Sequence, residues 1–281
     1  MRILITGAGG MLGHDVVRAA IAAGHEPAVL PRAQLDIADP DAVGAAVAAA
    51  APGAVINCAA WTDVDGAESA EQDARAVNGP GAGHVAAAAA AAGAWTVHVS
   101  SDYVFDGRKR EPYLEPDATA PLSAYGRTKL AGEQAVARAA PERHTVVRSS
   151  WLFGAHGRCF PQTIRRLAAE RDELTIVSDQ VGCPTFTGHL APALVTLADG
   201  RLPGVAHVAA DEQCSWFQFA QAIVAGAELD CVVHPIATAQ YPQSAPRPAY
   251  SVLRSQRGAP RLPNWRDGLT EFQRQIEGAT V

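Results

Sequence analysis

The sequence predicts an α/β fold, a doubly wound parallel sheet joined to a smaller α/β part. Short apolar runs alternate with helix-forming segments over the first ninety or so residues, and a glycine-rich turn separates the first run from the first helical segment. Runs and helical segments continue past residue 150 with no internal repeat and no clear linker. This β-α-β-α alternation implies a parallel sheet with helices on both faces.

Each element has a local reason. Residues 2–6 read as a buried strand, 11–23 as a helix stopped by Gly24, and 27–30 as a second short strand. Asp39-Pro40 opens a helix running to about 51, with proline at its first position. Val55-Ile56-Asn57 is a third strand, residues 67–92 contain helix with Gly93 as a C-cap, and 96–100 form a fourth strand. The alanine runs in these helices are structural, since alanine is the strongest helix former. Residues 106–123 are a polar, proline-containing loop, and Ser123 caps a helix over 124–139. Strands follow at 145–148 and 174–177, with helices at 161–171, 188–199 and 215–226. The last forty residues are proline-rich and are expected to be less regular.

Composition narrows the function. Of 281 residues 48% are hydrophobic and 19% charged, so a sizeable core forms. The net charge is −6 and the 23 basic residues form no dense cluster, which argues against nucleic acid or a membrane as partner. Five scattered cysteines with no CxxC pair exclude a disulfide framework and a zinc site, and no metal is expected. The chain enters its first strand at once, without the charged and long apolar regions of a signal peptide, and the alanine stretches 45–51 and 86–92 are too short to span a bilayer. A soluble cytoplasmic protein is expected.

Gly7-Ala8-Gly9-Gly10-Met11-Leu12-Gly13 follows a strand and opens a helix. The first glycine permits the tight turn, the next lets backbone approach a pyrophosphate, and the last lets helix pack on strand. The free N–H groups and positive dipole of the helix face the anion. The fold is therefore expected to be Rossmann-type, with residues 1–150 as a dinucleotide-binding domain. Residues 151–281 are expected to form mainly a smaller substrate-binding domain, built from C-terminal insertions, with some segments returning to the first. An acidic residue closing the second strand would favour NAD; Pro31-Arg32 stands there instead, and Arg32 suits a 2′-phosphate. NADPH is the expected cofactor, with NADH open.

Tyr125-Gly126-Arg127-Thr128-Lys129 is a YxxxK spacing, which puts the two side chains on one helix face. A phenol of pKa about 10 is a poor acid at neutral pH, and a nearby ammonium is expected to lower it. Alone the spacing is common. Ser101, at the C-terminal end of the fourth strand, lies where ligands bind in such sheets and can orient a carbonyl toward the tyrosine. The three together predict an oxidoreductase: the cofactor moves a hydride while Tyr125 moves a proton.

At these residues the chain resembles the extended short-chain dehydrogenase/reductase family and, within it, the dTDP-4-dehydrorhamnose reductases. The likeness runs over most of the chain. Asp102-Tyr103-Val104-Phe105-Asp106-Gly107 and Asp179-Gln180-Val181-Gly182-Cys183-Pro184-Thr185 are its most specific stretches. It implies Tyr125 as proton donor with Lys129 as its partner, and Ser101 in a position often held by threonine. It implies Asp36, Ile37, Ala59, Ala60, Thr62 and Asn78 on the cofactor side with Met11 and Leu12. Asp102, Trp151, Arg247 and Ser251 fall on the substrate side, the Trp151 indole pressing on the apolar face of a deoxysugar. The implied reaction reduces the C4 ketone of a dTDP-linked 4-keto-6-deoxysugar, by a monomer or homodimer. Two residues depart from the family pattern: Trp61 replaces the usual tyrosine before Thr62, and Ala249-Tyr250 precede Ser251 where asparagine is more frequent. A sister ketosugar reductase of secondary metabolism, a sugar-nucleotide epimerase, and a non-catalytic cofactor-binding regulatory subunit such as the beta subunit of methionine adenosyltransferase stay open.

Overall fold

The structure is a computed structural model and describes residues 1–278. Its centre is a parallel sheet built from β1 (Arg2–Thr6), β2 (Glu26–Leu30), β3 (Ala54–Asn57), β4 (Trp95–Ser101) and β5 (His144–Ser149), with the Gly204–His207 strand as sixth member. The order across the sheet is Gly204–His207, β5, β4, β3, β1, β2. The chain turns outward at β1 to make β2 and then crosses to β3 on the other side. That reversal opens a crevice at the C-terminal ends of β1 and β3, where ligands bind in open α/β sheets.

Both faces of the sheet are covered, so β3, β4 and β5 are buried along their whole length, polar residues included. Ile3 and Ile5 point to one face, where they pack with α1 (Met11–Ala22) and α8 (Thr187–Gly200). Leu4 points to the other, against α2 (Pro40–Ala50) and α5 (Ala82–Ala91). The side chain of Asp39 caps α2 by accepting from Asp41 N and Ala42 N. Between α2 and α5 lie α3 (Gly66–Ser69) and α4 (Glu71–Ala76). Residues 67–92 thus contain helix, but in pieces, joined by a π-helical turn at Val77–Gly81 that holds Pro80. Proline supplies no N–H there, which fits a break in the regular ladder.

The chain after residue 150 builds a second core. It gathers Phe153, Ile164, Phe186, Phe219, Trp265 and Phe272 from α7 (Phe160–Glu170), α9 (Trp216–Gly226), α10 (Trp265–Gly278) and the loops between. The long helix α6 (Ala124–Ala139) precedes this region and packs on α5 and β4. Of the strands here that the sequence does not predict, the two longest are Gly204–His207, which returns to the first sheet, and Val232–Ile236, which pairs in parallel with Glu173–Val177. The expected irregular chain holds over residues 242–264 and is corrected after them. Residues Trp265–Gly278 are helical, capped by the Asn264 side chain, which accepts from Arg266 N and Asp267 N. No helix among the described residues is long and apolar enough to cross a membrane.

Candidate active site

A cavity of about 970 Å³ opens over the C-terminal ends of β1, β3 and β4. That is the upper end of the usual range for small-molecule sites. Its floor on one side is the glycine loop. Gly7 has φ +65°, and a Cβ on it would come 2.6 Å from Ala59 N; a Cβ on Gly13 would come 2.3 Å from Gly7 O. Any side chain at either position would push the turn off the strand. Gly10, at the head of α1, makes no side-chain cap. The first-turn N–H groups of α1 therefore remain for an anion.

Met11, Leu12, Arg32, Asp36 and Ile37 line the same end of the cavity, and Ala59, Ala60 and Thr62 line its wall after β3. Arg32 is exposed and makes no ion pair or hydrogen bond among the described residues. Loop, helix terminus and free guanidinium together fit a phosphorylated dinucleotide.

The middle of the cavity holds Ser101, Tyr125 and Lys129. Their placement follows from α6 and β4. The Ser123 hydroxyl accepts from Gly126 N, and Glu68 accepts from Ala124 N at 2.7 Å, so both ends of the first turn of α6 are pinned. Arg127 adds a two-pronged pair to Glu71. One turn along, the Lys129 ammonium donates to Val99 O at 2.7 Å. Ser101 ends β4, accepts from Tyr103 N and donates to Asp102 Oδ1.

The electrostatics correct one expectation. The YxxxK spacing predicts a tyrosine drawn down by its lysine, yet burial pushes Tyr125 up to about 12, a hydrogen bond with Ser101 pulling back and the Asp102 carboxyl pushing further. The ammonium is held by the Val99 carbonyl, and desolvation of the phenol is the larger effect. Burial likewise draws Lys129 down to about 8, with Glu133 and Cys58 opposing. Asp102 is pushed up to about 7 by burial, against the hydroxyls of Ser251 and Ser101. Tyr125 thus enters the site as a protonated phenol, the form a proton donor needs.

Under the site, three strands present a buried polar row. Thr6 donates to Asn57 Oδ1 at 2.7 Å, and Asn57 Nδ2 meets His98 Nδ1 at 3.1 Å. Burial and the Lys129 charge hold His98 well below its ordinary value, so it stays neutral beside the ammonium.

Three residues assigned from the sequence do not line the cavity. Asn78 is buried, and its amide is engaged by the Trp61 backbone at 2.8 and 3.1 Å and by Thr128 at 3.0 Å. It holds the post-β3 loop onto α6. Arg247 pairs with both oxygens of Asp65 at 2.7 and 2.6 Å, and that pair draws Asp65 down to about 2. Ser251 is buried beneath Asp102, its hydroxyl without a partner of good geometry. Of the two departures from the family pattern, Trp61 lies in the cavity lining and Tyr250 outside it. Trp61 donates through Nε1 to Asp63 O, and Tyr250 donates to Gln213.

Asp102 and Trp151 line the far end of the cavity. There the structure also shows Trp216, stacked on Trp151, and Tyr103, edge-on to Tyr125 at 5.9 Å. Sequence reasoning missed both. Tyr103 carried a signal, two residues after Ser101 in a specific stretch; Trp216, far away in the chain, carried none.

Comparison with known proteins agrees over the whole length. The family model described as the RmlD substrate binding domain matches residues 1–277. The dTDP-4-dehydrorhamnose reductase of Mycolicibacterium smegmatis is 45% identical, covering 100% of this chain and 87% of that protein. A dTDP-4-keto-6-deoxy-D-glucose reductase of Streptomyces niveus is 40% identical over 96% of each chain. The crystal structure of a dTDP-4-dehydrorhamnose reductase from Bacillus anthracis, in complex with NADP, superposes with TM-score 0.94 at 36% identity, over 98% of this chain and 99% of that one.

Proposed function

The chain belongs to the RmlD family of dTDP-4-dehydrorhamnose reductases, and on that premise we propose that Ser101, Tyr125 and Lys129 carry its reaction in the cavity described above. The reaction is NAD(P)H-dependent reduction of the C4 ketone of dTDP-4-dehydro-L-rhamnose to dTDP-L-rhamnose. The observation that supports this most is the meeting of glycine loop, strand-end serine, half-buried Tyr125 and buried Lys129 in one cavity.

When bound, the dihydronicotinamide supplies the hydride for the ketone carbon. Tyr125 Oη gives its proton to the oxygen as negative charge develops there. The Ser101 hydroxyl bonds the same oxygen and fixes it next to the phenol. The Lys129 ammonium, held by Val99 O, stabilises the tyrosinate that remains. Gly7, Gly10, Gly13, Met11 and Leu12 would hold the pyrophosphate and Arg32 a 2′-phosphate, so NADPH is the preferred cofactor and NADH the weaker one. Asp102 and Trp151 would hold the sugar.

Residues 1–150 serve the dinucleotide and those after 150 mainly the substrate, with Gly204–His207 and α8 returning to the first sheet. Ser101, Tyr125 and Lys129 come from one chain, which fits a monomer or a homodimer. The working compartment is the cytoplasm, where both dinucleotides are present.

A second reading has a specific support. Trp61 alters the cavity lining, and the Streptomyces relative reduces a different dTDP-ketosugar by name. One assay tests both: NADPH and NADH oxidation with dTDP-4-dehydro-β-L-rhamnose, the product identified by NMR. Stoichiometric oxidation giving dTDP-L-rhamnose is expected. Oxidation only with another ketosugar would favour the second reading, and none with any ketosugar would sink both.

A further inference from the structure

Trp151 has φ +47°, in the left-handed region that a bulky aromatic rarely adopts. Such a conformation persists only where the surroundings over-determine it. Here they do. The Trp216 ring lies on the Trp151 ring with centroids 3.6 Å apart and planes 7° from parallel. Aromatic pairs left to themselves prefer offset or edge-on arrangements with centroids farther apart. This near-eclipsed stack is therefore imposed by what holds the two rings.

Both rings are held firmly. A Cβ on Gly182 would come 2.5 Å from the Trp151 ring, so only glycine lets that strand close on the indole. The Trp151 carbonyl accepts from Thr185 N at 3.2 Å, and the preceding Ser150 hydroxyl donates to Cys183 O at 2.7 Å. Trp216 is the first residue of α9, whose N-terminus is fixed by a reciprocal cap between Ser215 and Gln218. Phe160 leans on Trp216 at 4.5 Å and ties it to the second core through Phe219. Both indoles line the cavity, at the end away from Arg32.

We propose that Trp216 is a positioning residue for the sugar of the substrate. It clamps Trp151 in its left-handed conformation, one indole face on Trp216 and the other on Gly182, so that the edges of the paired indoles form a fixed wall for the apolar side of a 6-deoxyhexose. Trp216 acts through Trp151, so its removal weakens the sugar contact while the nucleotide contacts stay. This rests on the proposed reading of the cavity as a dTDP-sugar site.

Calorimetric titration with NADPH, dTDP and dTDP-L-rhamnose separates the contributions without turnover. In the wild type dTDP-L-rhamnose is expected to bind more tightly than dTDP. In Trp216→Ala its affinity should fall about tenfold, the size of one aromatic contact, with dTDP and NADPH affinities within about twofold. The KM for the ketosugar should rise by a similar factor with kcat within about threefold. Trp216→Phe, which keeps a flat ring, should recover the sugar affinity to within about threefold. Coupled indoles give a bisignate far-ultraviolet circular-dichroism band, which both variants should lose. Unchanged dTDP-L-rhamnose affinity in Trp216→Ala overturns the proposal, as does an equal loss for all three ligands. If the alanine variant does not fold, Trp216→Leu decides, because it fills space without a flat face: wild-type sugar affinity in that variant also overturns it. A wild type that binds dTDP-L-rhamnose no better than dTDP refutes the sugar wall, whereas absent NADPH oxidation refutes the reaction.

Discussion

Helix α6 carries two buried charges one turn apart, in opposite condition. At its cavity end Lys129 is 2% exposed, has one backbone carbonyl as partner and is drawn down to about 8 by burial. At its scaffold end Glu133 is 5% exposed and fully engaged: Arg148 donates to both its oxygens at 2.9 and 2.7 Å, and the Ser100 hydroxyl donates at 2.5 Å. Arg148 continues to His207, whose backbone N–H is accepted by Glu115. The scaffold end satisfies its charges; the cavity end leaves them strained and available. The contrast shows where the fold gives up stability for chemistry, and it also shows how Ser101 and Lys129 are kept in place, since Ser100 and Glu133 are their near neighbours in sequence.

The comparison can be broken at several points. The largest effect belongs to Tyr125→Phe, which should cut kcat by about 10²–10⁴ with cofactor affinity nearly unchanged. Wild-type turnover in that variant would remove Tyr125 from the mechanism. Next, Glu133→Ala leaves Arg148 buried and unpaired and should destabilise the fold by about 3–5 kcal/mol in urea titration. A loss below about 1 kcal/mol would mean that the scaffold end is no better satisfied than the site.

Lys129→Met should do the reverse, abolishing most activity while raising stability at pH 7 by on the order of 2 kcal/mol. The sign follows from its folded value of about 8 lying below the ordinary 10.5: between these the unfolded chain binds more protons, so wild-type stability rises with pH across that window. The variant should flatten that rise. Asp102 has the opposite window. Its folded value of about 7 lies above 3.8, so stability falls as pH rises between them, and Asp102→Asn should remove the fall. If neither variant alters the pH dependence of the urea midpoint, the cavity end is not strained. The smallest effect is expected for Arg32→Ala, about a tenfold or lesser loss of NADPH preference over NADH in kcat/KM. An unchanged ratio would leave the 2′-phosphate to other groups.

Much of the first half was legible because its signals are local. Asp39-Pro40, Ser123 and the glycine turn each specify backbone within a few residues, and all three stand where they were read. The second half was less so. Gly204–His207 is four residues long and becomes a strand by pairing with β5, a partner more than fifty residues away. Helix α10 did carry a signal, Asn264 before Trp265, Leu269 and Phe272 at helical spacing, but the neighbouring prolines pointed to irregular chain. Asn78 looked like a cofactor residue from its motif, and only the fold shows its amide closed on Trp61 and Thr128.

The sequence by itself determined the order of strands and helices through residue 150, the glycine turn, and the presence of Tyr125 and Lys129 on one helix face, because these follow from backbone geometry over a few residues. The tertiary structure decided the protonation of Tyr125, the strain on Lys129 and Asp102, and the pairing of Trp151 with Trp216. Desolvation and ring stacking depend on which distant segments close over a group, and that is set by packing of the whole chain.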